Sequence, residues 1–165
     1  MNIISKEELL RWQNDEKFQL EQMIKNGYNI RYMHNPSEKV CLEAVKKSGA
    51  CIRYITNPSE EMCLEAIRQN GHVVQYINNP SEEMCLEAVK INALSIQCIH
   101  NPSEEMCLKA VKTNALSIQY IHKPSENVCL ESLHNCPKEK LNNIIRYIDI
   151  EKYPDLYEKY CFMKV

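Results

Sequence analysis

One block of 22 residues recurs along this chain, so the fold has to be a stack of copies of one short unit. Rows beginning at Pro36, Pro58, Pro80, Pro102 and Pro124 carry nearly the same letters, as in Pro36-Ser37-Glu38-Lys39-Val40-Cys41-Leu42-Glu43-Ala44-Val45. Self-similarity at a fixed period marks a solenoid, in which each unit covers its apolar face only against a neighbour. The rows from Pro80 and Pro102 differ at four of 22 positions, Glu87/Lys109, Ile91/Thr113, Cys98/Tyr120 and Asn101/Lys123, as a recent duplication would leave them. Dividing 165 residues by 22 gives 7.5, and the half period is shared between two dissimilar ends.

Each row reads as a long helix, a turn, a short helix and a turn. Asn35-Pro36-Ser37-Glu38 predicts Asn at the N-cap, Pro at the first helical position and Glu where it can reach back to the cap. Val40, Cys41, Leu42, Ala44 and Val45 cover more than half of the helix circumference, as suits a helix held between two others. Gly27, Gly49 and Gly71 hold one place in their rows and are expected to close the helices with positive φ; Ala93 and Ala115 replace them later. In Leu116-Ser117-Ile118-Gln119-Tyr120-Ile121-His122 the apolar Ile118 and Ile121 are three apart, which favours a short α- or 3₁₀-helix over a strand. The expected fold is all-α, a right-handed α-solenoid of 22-residue repeats with capped ends.

The expected organisation is one elongated repeat domain over 1–165. Residues 1–13 form an N-terminal cap helix opened by Ser5-Lys6-Glu7-Glu8 and carrying Trp12, and 14–35 form a capping repeat. Full repeats span 36–57, 58–79, 80–101 and 102–123; a degenerate repeat and a C-terminal cap fill 124–165. Gln19 and Gln22 stand where internal rows have Cys and Ala, polar replacements expected of a terminal repeat. Tyr147, Tyr153, Tyr157 and Tyr160 are expected to close the other end, with a last helix over 153–162.

Asn-Pro-Ser-Glu-Glu-Met-Cys-Leu-Glu-Ala-Val-Lys followed by Asn-Gly and Gln-Tyr-Ile resembles a short two-helix repeat of phage, giant-virus and AT-rich bacterial proteins, a family of unknown function. The resemblance covers residues 14–133. The architecture is also similar to leucine-rich-repeat variant solenoids, which alternate an α-helix with a 3₁₀ helix. Both resemblances imply a binding scaffold, and neither brings a catalytic residue. The iron–sulfur domain of some variant proteins is not implied, because residues 1–35 contain no cysteine.

The chain has nine cysteines, but Cys41, Cys63, Cys85, Cys107 and Cys129 recur once per repeat on the apolar face. Stacked helices hold equivalent Cα atoms about 9–10 Å apart, too far for a disulfide, so a reduced thiol ladder and a reducing cytoplasm are expected, the host's if the protein is viral. No C-x-x-C or H-x-x-H pair supplies zinc ligands, and no phosphate loop or nucleophile–base arrangement can be assembled. The reading is non-catalytic, with no metal and no cofactor. No apolar run approaches the roughly 20 residues that cross a bilayer.

The Glu38, Glu60, Glu82, Glu104 and Glu126 stripe and the Lys46, Arg68, Lys90 and Lys112 stripe suit the two ends of the helix dipole and are read as scaffolding. Arg31, Arg53, Gln75, Gln97 and Gln119 form a polar column on an apolar short helix, read either as caps of turns or as the lining of a groove. His34, His100 and His122 share one repeat position, the last residue of that short helix, and Tyr28 and His72 share another at its start. These ten residues are the candidate partner-binding surface. Variation between rows at Tyr28/Ala50/His72/Leu94/Leu116, at Asn29/Cys51/Val73/Ser95/Ser117 and at His34/Thr56/Asn78/His100/His122 is expected to choose the partner.

A protein partner is the first expectation, in a phage or viral counter-defence or host-interaction setting given the resemblance. Single-stranded nucleic acid is the second, read by Tyr32, Tyr54, Tyr76 and Tyr120 with Arg31 and Arg53. Lys+Arg 20 against Asp+Glu 22, a net charge of -2 and a pI near 6.2 weigh against phosphate binding and a membrane surface. The chain is expected as a monomer or as an end-to-end homodimer.

Overall fold

The structure, a computed structural model, describes residues 6–149, 151–156 and 158. The expected helices of row after row are present. The long ones are α1 (Lys6–Asn14), α2 (Glu16–Lys25), α3 (Glu38–Lys47), α4 (Glu60–Gln69), α5 (Glu82–Ile91), α6 (Glu104–Thr113) and α7 (Glu126–Asn135). Between them lie 3₁₀ helices Gly27–Tyr32, Gly49–Tyr54, Gly71–Tyr76, Ala93–Cys98 and Ala115–Tyr120. Lys138–Lys140 is a further 3₁₀ turn leading into α8 (Leu141–Ile145), and no strand occurs among the described residues. The fold is an all-α solenoid of alternating α and 3₁₀ helices.

Contacts divide the chain into two compact units, 1–79 and 80–165, separated at the junction of two rows. In the first, α2 packs on α3 and α3 on α4, while Gly49–Tyr54 packs between Gly27–Tyr32 and Gly71–Tyr76. In the second, α5, α6 and α7 stack in turn, as do Ala93–Cys98 and Ala115–Tyr120. The core repeats with the letters. Ala44, Ala66, Ala88 and Ala110 have no exposed surface, nor do Val45, Ile67, Val89 and Val111 beside them. Below them Ile52, Val74, Ile96 and Ile118 on the 3₁₀ helices are buried as well.

The helix starts differ from the sequence expectation. Ser, not Asn, is the N-cap: the hydroxyls of Ser37, Ser81 and Ser125 accept from the backbone N–H of Val40, Met84 and Val128 at 3.4, 3.2 and 3.2 Å. Asn35, Asn57, Asn79 and Asn101 instead carry the turn before it at φ 49, 57, 51 and 54°. Asn tolerates the left-handed region because its short polar chain bonds locally, and Pro then supplies a residue that needs no N–H partner. Lys123 holds the same conformation at φ 51° without that advantage. Lys123→Asn is therefore expected to raise stability by about 0.5–1 kcal/mol, read as a higher urea midpoint with an unchanged slope.

The glycines also act differently. None has positive φ, and the long helices end instead on extended residues: Asn26, Asn70, Asn92 and Asn114 at φ between -158 and -146°. Their side-chain oxygens accept from Tyr28, His72, Leu94 and Leu116 N–H and so cap the following 3₁₀ helix. Glycine is needed for closeness: a Cβ on Gly27 would lie 2.6 Å from the Ala44 carbonyl oxygen, and one on Gly49 2.8 Å from that of Ala66.

At the N-terminal end Gln19 is buried rather than solvated, because α1 lies over it and its Nε2 donates to the Trp12 carbonyl at 2.8 Å. Ser5 of the expected capping box lies outside the described residues. At the other end Leu141, Ile144, Ile148 and Leu156 are buried, and Cys129 and Leu133 are covered. The Tyr153 hydroxyl donates to the Pro124 carbonyl at 3.4 Å, and Tyr147 is exposed. The backbone is helical at 154–156 and 158; Tyr157 and Tyr160 lie outside the described residues.

Candidate binding surface

A 3₁₀ helix has three residues per turn, so its first and fourth positions face one way. In every row those are the buried Gly or Ala and the buried Ile or Val, and the fifth and sixth positions are turned outward. Arg31, Arg53, Gln75, Gln97 and Gln119 are all exposed as a result, followed in the chain by Tyr32, Tyr54, Tyr76, Cys98 and Tyr120. Tyr32 keeps 62% of its surface open, Tyr76 and Tyr120 40% each.

In residues 1–79 these side chains form two clusters on successive, mutually packed 3₁₀ helices. The Arg31 guanidinium lies over the Tyr32 ring, 4.6 Å from its centre, and donates to the Tyr32 hydroxyl. Arg53 lies over Tyr54 at 4.7 Å, bonds that hydroxyl, and reaches the Tyr76 ring at 5.9 Å. Hydrogen bonds that Arg53 donates, first to Tyr54 and then to Tyr76, push it above its ordinary pKa, which keeps it charged at any working pH. Tyr28 is half-buried with its ring edge-on to Tyr54 at 6.3 Å. Read from sequence, Trp12 belongs only to the opening helix; the fold sets its ring 6.4 Å from Tyr32 and 5.5 Å from Phe18. Only the spacing of 20 residues between Trp12 and Tyr32, nearly one period, hinted at that meeting.

Gln75 is exposed and its Nε2 donates to the His72 carbonyl at 3.0 Å, so in that row the polar column does close its own turn. Gln97 and Gln119 are exposed in residues 80–165. His34, His100 and His122 are exposed on the loops after the 3₁₀ helices. His100 and His122 line one cleft of about 400 Å³ with Glu104, Tyr120 and Lys123, while His34 lines a separate cleft of about 320 Å³ with Tyr54 and Thr56. Among the described residues no three His, Cys, Asp or Glu side chains converge on a common point.

One of the three variable columns is corrected by the fold. Cys51, Val73, Ser95 and Ser117 are fully buried at the third position of their 3₁₀ helices, so they vary with core packing and cannot touch a partner. Asn29 in the same column is half-buried and donates from Nδ2 to the Gln22 carbonyl at 3.2 Å.

The cysteine ladder is core. Cys41, Cys63, Cys85, Cys107 and Cys129 are buried free thiols. Burial pushes each of them up, and Cys107 and Cys129 reach about 11 against an ordinary 9.0, with Glu104 adding to the rise at Cys107. A pKa raised by folding means the unfolded chain loses its protons first. The contribution is whole below pH 9 and is lost as pH rises through 11. Unfolding free energy is expected to fall over that window by on the order of 2 kcal/mol for each of these two thiols. A Cys107→Ala/Cys129→Ala chain, titrated alongside, should show a flatter decline.

Comparison with family models, with curated proteins and with solved structures finds no match to this chain. Among the described residues no helix is long and apolar enough to cross a membrane.

Proposed function

We propose that the chain is a non-catalytic α-helical scaffold that binds a protein partner through the outward faces of its 3₁₀ helices. The observation that carries this reading is the pairing of exposed Arg31 with exposed Tyr32, and of exposed Arg53 with half-buried Tyr54 and exposed Tyr76, through ring and guanidinium contacts. Arg, Tyr and Trp are the residues that dominate protein interfaces, because each joins a large contact area to hydrogen-bonding groups. On the resemblance to phage and giant-virus repeats, the partner we propose is a host protein, with the chain in a counter-defence or host-interaction role.

Affinity capture from host extract at near-physiological salt tests the reading. A protein held by the native chain and released by Tyr32→Ala/Tyr76→Ala supports it; equal capture by both, or none by either, counts against it.

A further inference from the structure

We propose that the Arg31–Tyr32 and Arg53–Tyr54–Tyr76 patch takes a carboxylate-rich segment of its protein partner, with an Asp or Glu side chain on each guanidinium. This rests on the protein-binding reading and names the chemistry of what is bound.

The first support is that both cations are unpaired with acid. Among the described residues the ion pairs are Arg11–Asp15 at 3.4 Å and Lys90–Glu87 at 3.5 Å, and neither Arg31 nor Arg53 is paired with a carboxylate there.

The second support is preorganisation. An arginine normally loses much rotamer freedom when it grips a ligand, but here a tyrosine ring already holds each guanidinium. A guanidinium has five N–H donors, and a tyrosine hydroxyl takes only part of that set. The remaining donors suit the two oxygens of a carboxylate, a paired geometry that a lysine cannot supply.

The third support separates a protein acid from nucleic acid. Reading a base needs an open aromatic face, whereas guanidiniums lie on Tyr32 and Tyr54. Residues 1–79 carry ten Lys and Arg against ten Asp and Glu, which leaves no net positive field to draw a phosphate backbone. In residues 80–165 the equivalent positions are Gln97 and Gln119, so acid recognition is confined to the first unit.

Selection from a displayed library of random peptides on the full chain tests this, followed by anisotropy with the best labelled peptide and with single-stranded oligothymidylate. Selected peptides should be enriched in Asp and Glu, and affinity should weaken with salt. Arg31→Gln/Arg53→Gln should weaken the peptide at least about tenfold, and Arg31→Lys/Arg53→Lys should restore only a small part of that loss. Both residues are exposed, and an unchanged circular dichroism spectrum checks that the variants fold. The proposal is overturned by an absence of selected peptides, by peptides without acidic enrichment, by affinity indifferent to the arginines, or by tighter binding of the oligonucleotide. Non-acidic peptides that depend on Tyr32 and Tyr76 would overturn the acidic partner while leaving the protein-binding reading in place.

Discussion

Gly49→Val is expected to lower the unfolding free energy by about 3 kcal/mol, the upper end of what overpacking a closed core costs. The atoms a new side chain would meet are backbone: the Ala66 carbonyl oxygen at 2.8 Å, its Cα at 3.0 Å and its carbonyl carbon at 3.3 Å. Backbone inside a helix cannot swing away as a side-chain tip can. α4 is also tied to this spot, since Gln69 accepts from the Gly49 N–H at 2.7 Å and donates to the Val45 carbonyl at 3.0 Å. Relief would require moving a whole helix. Against a typical total of about 5–15 kcal/mol for a domain, this is a large share. Urea denaturation followed at 222 nm measures it; a loss below about 1 kcal/mol would mean that α4 yields, and that the glycine was not required for closeness. Ala93→Gly, the reverse exchange in a later row, should cost only about 1 kcal/mol, through backbone entropy and a lost methyl group.

Ile118→Ala should cost about 3 kcal/mol, within the usual range for emptying a buried aliphatic site. Ile118 is 1% exposed on Ala115–Tyr120, a 3₁₀ helix that packs against both α6 and α7. A hole there faces two helices and a neighbouring 3₁₀ turn, and such walls collapse poorly. Repeat stability is a sum of unit and neighbour terms, so the damage should be local. Hydrogen exchange should quicken most in α6, α7 and the 3₁₀ helix between them. Uniform acceleration across residues 6–149 would contradict this and make the whole chain one cooperative unit.

The alternation of long and short helices was legible before any coordinate, because an apolar pattern repeated at 22 residues admits one kind of packing. Ala44, Ala66, Ala88 and Ala110 sit in one column of letters and in one column of the core. The roles of small residues were not legible at the same level. The Asn-Pro-Ser-Glu string reads as an Asn cap, but which residue caps depends on backbone torsions: the left-handed Asn turn hands the cap to Ser. A Gly after a helix reads as a positive-φ terminator, yet Gly49 opens a 3₁₀ helix beside a backbone that it almost touches, a constraint that comes from a residue 17 positions later in the chain.

The candidate surface divides in the same way. Its polar column was visible as Arg31, Arg53, Gln75, Gln97 and Gln119, since period alone aligns them. Which variable positions face outward was not, because a six-residue 3₁₀ helix is too short to declare its faces by pattern. Only packing put Ser95 and Ser117 inside and left Tyr32 and Tyr76 out.

What the amino-acid order determined by itself was the repeat, its helical content and the thiol ladder, all consequences of local propensity and of one period applied many times. Tertiary structure alone decided that Trp12 and Tyr32 meet across the first turns and that Arg53 spans Tyr54 and Tyr76 of two successive rows. Those contacts join residues of different repeats, and their existence depends on the spacing and rotation of one unit on the next, quantities set by how closely Gly27 and Gly49 let the backbones approach.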